Sequence, residues 1–284
     1  MDRRLLWLTL IITGLGLAGL LYVNRPRHHT SQHQGPPPAG APVWKVKVVK
    51  TYPHDTSAFT QGLLYHDGFL YESTGREGHS QLRKLDLESG KVLQRRKLAD
   101  EFFAEGLALF KDRFYQLTWT SGTAFVYDLD FEPQNQLLYT TQGWGLTPLG
   151  DYLVLSDGSS NLSFYEPEKF FRIKTVPVAC KGQAVAALNE LETVEGEIWA
   201  NVWMESFIAR IDPESGQVVG WIDCRGLLSE REANRADVLN GIAYDPATRR
   251  IWLTGKLWPH LFEVELVGPS PSDSPESGSP TPAR

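Results

Sequence analysis

The strongest constraint in the chain is a hairpin that it repeats. Phe103-Ala104-Glu105-Gly106-Leu107 runs on to Leu117-Thr118-Trp119. The same shape recurs at Thr60-Gln61-Gly62-Leu63, Gly143-Trp144-Gly145-Leu146, Leu188-Asn189-Glu190-Leu191 and Leu239-Asn240-Gly241-Ile242. Each copy is followed by a short turn and a second apolar segment. The residue before the Gly (Glu190 replaces Gly once) is Gln61, Glu105, Trp144, Asn189 and Asn240, at spacings of 44, 39, 45 and 51 residues. A near-regular period of this size, strand-like and without helical pattern, predicts propeller blades.

The second half of each unit supplies a matching position. Gly75, Trp119, Gly158 and Trp203 stand 14 residues after the first, and Lys256 stands 16 after because the fifth turn is two residues longer. Antiparallel strands joined by a tight turn bring the start of one beside the end of the other. Glu105 is therefore expected near Trp119, and Asn189 near Trp203. Around a common axis the ten positions converge on one mouth, with a single carboxylate, Glu105, among them.

The units read as four-stranded meanders. The last supplies only three strands, Asn240 to Tyr244, Ile251 to Leu253 and Leu261 to Leu266. The alternating segment Trp44 to Val49 is expected to complete it, closing the ring and removing an edge. The fold class is thus all-β, a five-bladed β-propeller over residues 43–267. Residues 268–284 are Ser, Pro and Gly-rich and read as a disordered tail.

Ahead of the propeller, Arg3-Arg4 precede Leu5 to Val23, a run without charge that is long enough to cross a bilayer. Residues 1–24 read as one transmembrane helix, a membrane anchor or a signal segment. The lack of an Ala-x-Ala-like site or a Cys at its end favours the anchor. Residues 25–42, rich in Pro, Gly, His and Gln, read as a flexible linker without fixed structure. This places the catalytic domain outside the cytoplasm, periplasmic or extracellular. A net charge of −6 and a pI near 5.7 argue against a nucleic-acid partner. Cys180 and Cys224, the only cysteines, lie on neighbouring units and read as two buried thiols rather than a bridge. No Cys/His spacing suggests zinc; no metal or cofactor is expected, and the chain is expected to be a monomer.

Tyr52-Pro53-His54-Asp55, Phe59-Thr60-Gln61-Gly62-Leu63 and Leu70-Tyr71-Glu72-Ser73-Thr74-Gly75 resemble the plant and bacterial type of glutaminyl-peptide cyclotransferase. So do the Glu105 and Trp144 motifs, Ser156-Asp157-Gly158-Ser159, Leu188 to Glu192, Ala200-Asn201-Val202-Trp203, Leu239 to Asp245 and Leu253 to Pro259. The resemblance runs from about Tyr52 to Val264 and touches every unit. It implies a five-bladed propeller that cyclises N-terminal Gln of peptides or proteins to pyroglutamate. It also implies a catalytic carboxylate at Glu105, with Gln61, Trp119, Trp144, Asn189, Trp203 and Lys256 lining the substrate. The departures from the pattern are the membrane segment, the linker and the polar tail.

The chemistry fits these side chains. The α-amine must attack its own γ-amide carbon, yet with a pKa of about 8 much of it is protonated near neutrality. One carboxyl, Glu105, can take the proton and later hand it to the leaving ammonia. Lys256 or Asn189 can donate to the oxyanion. Trp119, Trp144 and Trp203, with Gln61 and Asn240, form a pocket that favours the folded conformer.

The same residue types also occur in other roles. Trp is often core, but Trp119, Trp144 and Trp203 fall on repeat positions where other units carry Gly, Gln or Asn. Trp199, Trp221 and Trp252 read as structural. Glu190 and Glu192 are expected to turn outward or toward the next unit, and Asp157 to cap a turn with Ser159. Lys256 has the alternative role of a structural ion pair with Glu105. Two other functions fit less well: a metal-dependent, lactonase-like propeller hydrolase, and a non-catalytic binding propeller.

Overall fold

The computed structural model describes residues 32–269. The expected membrane segment, residues 25–31 of the linker and the tail beyond residue 269 lie outside the described residues. Among the described residues no helix is long and apolar enough to cross a membrane.

Among the described residues the all-β expectation holds, with one four-residue helix. The first strand is β1 (Val43–Pro53). An antiparallel meander follows, β2 (Thr60–His66), β3 (Phe69–Thr74), β4 (Gln81–Asp86) and β5 (Val92–Lys97). It recurs as β6 (Ala104–Phe110), β7 (Arg113–Thr118), β8 (Thr123–Tyr127) and β9 (Pro133–Leu138), then as β10 (Leu146–Leu149), β11 (Tyr152–Ser156), β12 (Asn161–Tyr165) and β13 (Arg172–Pro177). A small hairpin, β14 (Ala179–Cys180) and β15 (Gln183–Ala184), leads into β16 (Leu188–Val194), β17 (Glu197–Val202), β18 (Phe207–Ile211) and β19 (Val218–Asp223). After α1 (Glu230–Ala233) come β20 (Leu239–Asp245), β21 (Arg250–Gly255) and β22 (His260–Val267).

Strand β1 pairs antiparallel with β22, completing the last unit as its pattern predicts. It also does something the pattern does not announce. Val43, Trp44 and Lys45 pair in parallel with Trp221, Ile222 and Asp223 of β19. The last two units thus merge into one eight-stranded sheet, β16-β17-β18-β19-β1-β22-β21-β20. An outer strand with unpaired backbone groups is a template for another strand, and β1 satisfies two such edges at once.

The turns are chemically specified. Asp67-Gly68, Lys111-Asp112 and Glu195-Gly196 each have two consecutive positive φ values, the hairpin geometry that matches strand twist. The first strands β2, β6, β10, β16 and β20 pack in sequence, and β20 packs against β2, which closes the ring. Apolar clusters fill the space between neighbouring sheets. Leu64, Tyr71, Leu107 and Phe114 join the first two sheets, and Tyr52, Leu63, Trp252 and Leu261 join the last to the first. Each fully buried Leu or Phe there stabilises by about 1.5–3 kcal/mol. Trp199, Trp221 and Trp252 belong to these cores, as their strand positions imply.

Three details differ from or refine the sequence expectations. Residues 32–42, expected to lack fixed structure, meet the loop after β17: the His33 N–H donates to the Met204 carbonyl at 2.7 Å and the Gln34 amide to Ser206 Oγ at 3.0 Å. Linker residues satisfy backbone and hydroxyl groups that this part-buried loop leaves open. Cys180 and Cys224 are buried free thiols. Asp157 Oδ1 accepts the Ser159 N–H at 3.0 Å, the turn cap its spacing predicts.

Candidate active site

The first strands carry a local irregularity where the repeat places its chemistry. Pairing slips between Thr60 and Gly62, Ala104 and Leu107, Leu188 and Leu191, and Leu239 and Ile242. A bulge of this kind adds a residue to one strand and re-aims its side chain. The residues so displaced include Gln61, Glu105, Asn189 and Asn240. Across each hairpin a recurring backbone bond fixes the second position. The N–H groups of Gly75, Trp119, Trp203 and Lys256 donate to the carbonyls of Phe59, Phe103, Ala187 and Val238 at 2.8–2.9 Å. Lys256 is therefore the true counterpart of Trp119 and Trp203 despite the longer turn.

Glycine makes the ring tight. A Cβ on Gly106 would stand 2.6 Å from Gly145 C and Leu146 N, and one on Gly145 would stand 2.1 Å from the Asn189 carbonyl. These positions let one first strand lie directly on the next. The Gly106 N–H donates to the Trp144 carbonyl at 2.7 Å, tying the Glu105 bulge to the Trp144 segment.

Glu105 is 5% exposed. Its Oε1 accepts the Gln61 amide at 3.0 Å, and Gln61 in turn accepts the Asn240 amide at 3.2 Å. Burial pushes the Glu105 carboxyl well above its ordinary value, and the charge of Lys256 pulls it partly back. Lys256 is 4% exposed, and burial pulls its ammonium down while Glu105 and Asp237 hold it up. No ion pair within 4.0 Å joins the two among the described residues; they act on each other through charge at longer range. Lys256 Nζ lies 4.9 Å from the centre of the Phe59 ring. Asn189 is 2% exposed and its Oδ1 has no hydrogen-bond partner.

Aromatic rings line the rest. Trp144 and Trp203 meet edge to face with centroids 5.7 Å apart. Phe59 meets Phe103 at 6.1 Å, and Phe103 meets Trp119 at 5.7 Å. Gln142 Oε1 accepts the indole N–H of both Trp119 and Trp144, at 2.8 and 2.9 Å. Phe59, Phe103 and Gln142 escape a reading limited to two positions per repeat. A signal was present: with Ala187 and Val238 they form a third set, two residues upstream of the first.

Glu190 and Glu192 do reach toward neighbouring units, but Glu190 goes further than expected. Its two oxygens accept the backbone N–H groups of Leu63 at 3.3 Å and Ile242 at 2.9 Å. It stands where other units have Gly, and it bonds to the first strands of two other units. Glu192 Oε1 accepts the Tyr244 N–H at 3.0 Å. Burial pushes both carboxyls well up, and for Glu190 its neighbour Glu192 adds to the effect.

Sequence and structure comparisons place related proteins beside this chain. The family model described as Glutamine cyclotransferase matches residues 20–266. A glutaminyl-peptide cyclotransferase of Arabidopsis thaliana is 42% identical over 231 residues, covering 78% of this chain and 71% of its own. The crystal structure of Myxococcus xanthus glutaminyl cyclase is similar with a TM-score of 0.74 at 42% identity, over 81% of this chain and all of that one. The chain belongs to the glutamine cyclotransferase family.

Proposed function

We propose that this protein cyclises the N-terminal glutamine of peptides and proteins to pyroglutamate with release of ammonia. The domain doing so, residues 43–267, is a five-bladed β-propeller whose last blade is completed by β1. The observation that carries the reading is a buried carboxyl, Glu105, bonded by Gln61 and set near Lys256 at an aromatic-lined ring of repeat positions. Residues 1–24 serve as a membrane anchor, 25–42 as its linker and 268–284 as a tail. The catalytic domain lies outside the cytoplasm as a monomer; the uncharged run after Arg3-Arg4 supports the anchor.

The steps follow from the groups present. The Glu105 carboxylate takes a proton as the α-amine nitrogen attacks the γ-amide carbon. A C–N bond forms and the carbonyl oxygen becomes an oxyanion, toward which Lys256 and the Asn189 amide donate. Protonated Glu105 then gives the proton to the amide nitrogen, the old C–N bond breaks, and ammonia leaves a five-membered lactam. A carboxyl lifted by desolvation suits both transfers, because its proton affinity is closer to the working pH. Trp119, Trp144 and Trp203 enclose the folded glutamine side chain, a proximity effect. Gln61 and Asn240 hold Glu105 in place.

Incubating the purified protein with a short Gln-initiated peptide should release ammonia and a pyroglutamyl peptide in equal amounts, with EDTA present or absent. Absence of both products overturns the reading. Loss of turnover with EDTA that calcium restores would favour a metal-dependent reaction.

The charge of Lys256 also sets a pH dependence. It lowers the Glu105 carboxyl from where burial alone would put it. Lys256→Gln removes that pull, so Glu105 should hold its proton to higher pH. The acid limb of the kcat/KM profile should move to higher pH in the variant. An unmoved limb, measured on the residual activity, would show that Lys256 does not act on the base.

A further inference from the structure

We infer that Gln142 is a positioning and specificity-determining residue: it fixes the Trp119 and Trp144 indoles with its carbonyl oxygen and offers its amide N–H groups to a main-chain carbonyl of the peptide substrate. The inference rests on the cyclase reading above. Gln142 belongs to the third repeat set, whose other members are Phe59, Phe103, Ala187 and Val238. It is the one polar side chain in that set. Variation at an equivalent position is what a pseudo-symmetric fold uses to build an asymmetric site.

The orientation of the amide is forced by its partners. An indole N–H donates and has no acceptor on nitrogen. Two indoles point at the same side-chain atom, at 2.8 and 2.9 Å, so that atom must be the oxygen. Nε2 is then turned away from both rings. Among the described residues it bonds to nothing, and Gln142 is exposed. Its backbone is held close by. The Gly143 N–H donates to the Trp119 carbonyl at 2.9 Å, and a Cβ on Gly143 would meet Tyr139 Oη at 2.4 Å. The side chain is thus anchored at its base and through its oxygen, leaving two amide donors without a protein partner among the described residues.

A substrate whose glutamine side chain reaches buried Glu105 must leave the pocket past the indole rim. The groups it presents there are main-chain carbonyls, whatever residues follow the glutamine. A donor on the rim recognises them without reading a side chain. The ligand class is therefore an extended N-terminal segment with a free main-chain carbonyl, and tolerance of the following residue is expected.

Two substitutions separate the halves of the inference. Gln142→Glu keeps an oxygen for both indoles and removes the donors. Gln142→Leu removes both functions at similar size. On a Gln-initiated tripeptide, Gln142→Glu should raise KM about fivefold with kcat within twofold, the loss of one ordinary hydrogen bond. Gln142→Leu should raise KM similarly and also lower kcat about tenfold, because the indoles lose their common acceptor. Unchanged KM in Gln142→Glu overturns the substrate-carbonyl contact. Unchanged kcat in Gln142→Leu overturns the indole-positioning role. Circular dichroism and thermal melting of each variant show whether it is folded. Wild-type turnover in the same assay separates failure of this inference from failure of the cyclase reading.

Discussion

Glu105→Gln should lower kcat by a factor on the order of 10²–10⁴, the usual contribution of a positioned acid–base group. The substituted amide cannot take the proton from the attacking amine or return it to the leaving nitrogen. KM should change far less, since the aromatic wall and Gln61 remain. Glu105 sits in a network where Gln61 donates to it and Asn240 donates to Gln61. In the variant, the new side-chain amide can present its carbonyl oxygen to the Gln61 amide, so the network needs no rearrangement. The pH dependence of stability should also respond. The folded carboxyl is held well above its ordinary value, so Glu105 contributes stability that is complete below the unfolded value near 4.5 and is lost as pH rises through the folded value. Removing the ionisable group should flatten that alkaline loss. Ammonia release under saturating peptide, beside a melting curve across pH, checks both. Near-normal kcat in a folded Glu105→Gln protein would remove the proposed base.

Much of this site was legible because the fold writes its geometry as a period. The spacing of Gln61, Glu105, Trp144, Asn189 and Asn240 marks where the first strands begin, and at all of them but Trp144 a bulge re-aims the side chain. Lys256 was legible as well, since the two added turn residues leave the backbone bond to Val238 intact. The β1–β22 pairing followed from a unit short of one strand. The parallel pairing of Val43–Lys45 with β19 did not, because alternation of apolar and polar residues specifies which faces are buried and not which edge is joined. Gln142 was hidden for a different reason. It is a polar residue in a loop, and its role depends on two indole nitrogens that converge only in three dimensions. Glu190 was misjudged in reach. Strand alternation gives a direction from its own sheet, whereas its carboxylate bonds to the first strands of two other units.

Glu190→Ala should destabilise the protein by about 2–6 kcal/mol, because two buried backbone donors each lose a partner worth about 1–3 kcal/mol. The donors are Leu63 N–H and Ile242 N–H. Glu190 is 1% exposed, so solvent has little access to replace the carboxylate. Against a typical domain stability of about 5–15 kcal/mol, such a loss should be plain in a denaturant midpoint. The same change should reach the chemistry. Leu63 follows Gln61-Gly62, and Ile242 follows Asn240-Gly241. Freeing both N–H groups loosens the two bulges that hold the Asn240–Gln61–Glu105 network, and kcat should fall with stability. Burial and Glu192 hold the Glu190 carboxyl well above its ordinary value, so its stabilising contribution is full below about pH 4.5 and declines as pH rises through the folded value. The gap between wild type and Glu190→Ala should therefore be widest in acid and narrow toward alkaline pH. Glu190→Gln should fall between them, since it keeps one acceptor and turns an amide N–H₂ toward the other donor. A Glu190→Ala protein with wild-type midpoint and kcat would mean that the ring holds its bulges without this carboxylate.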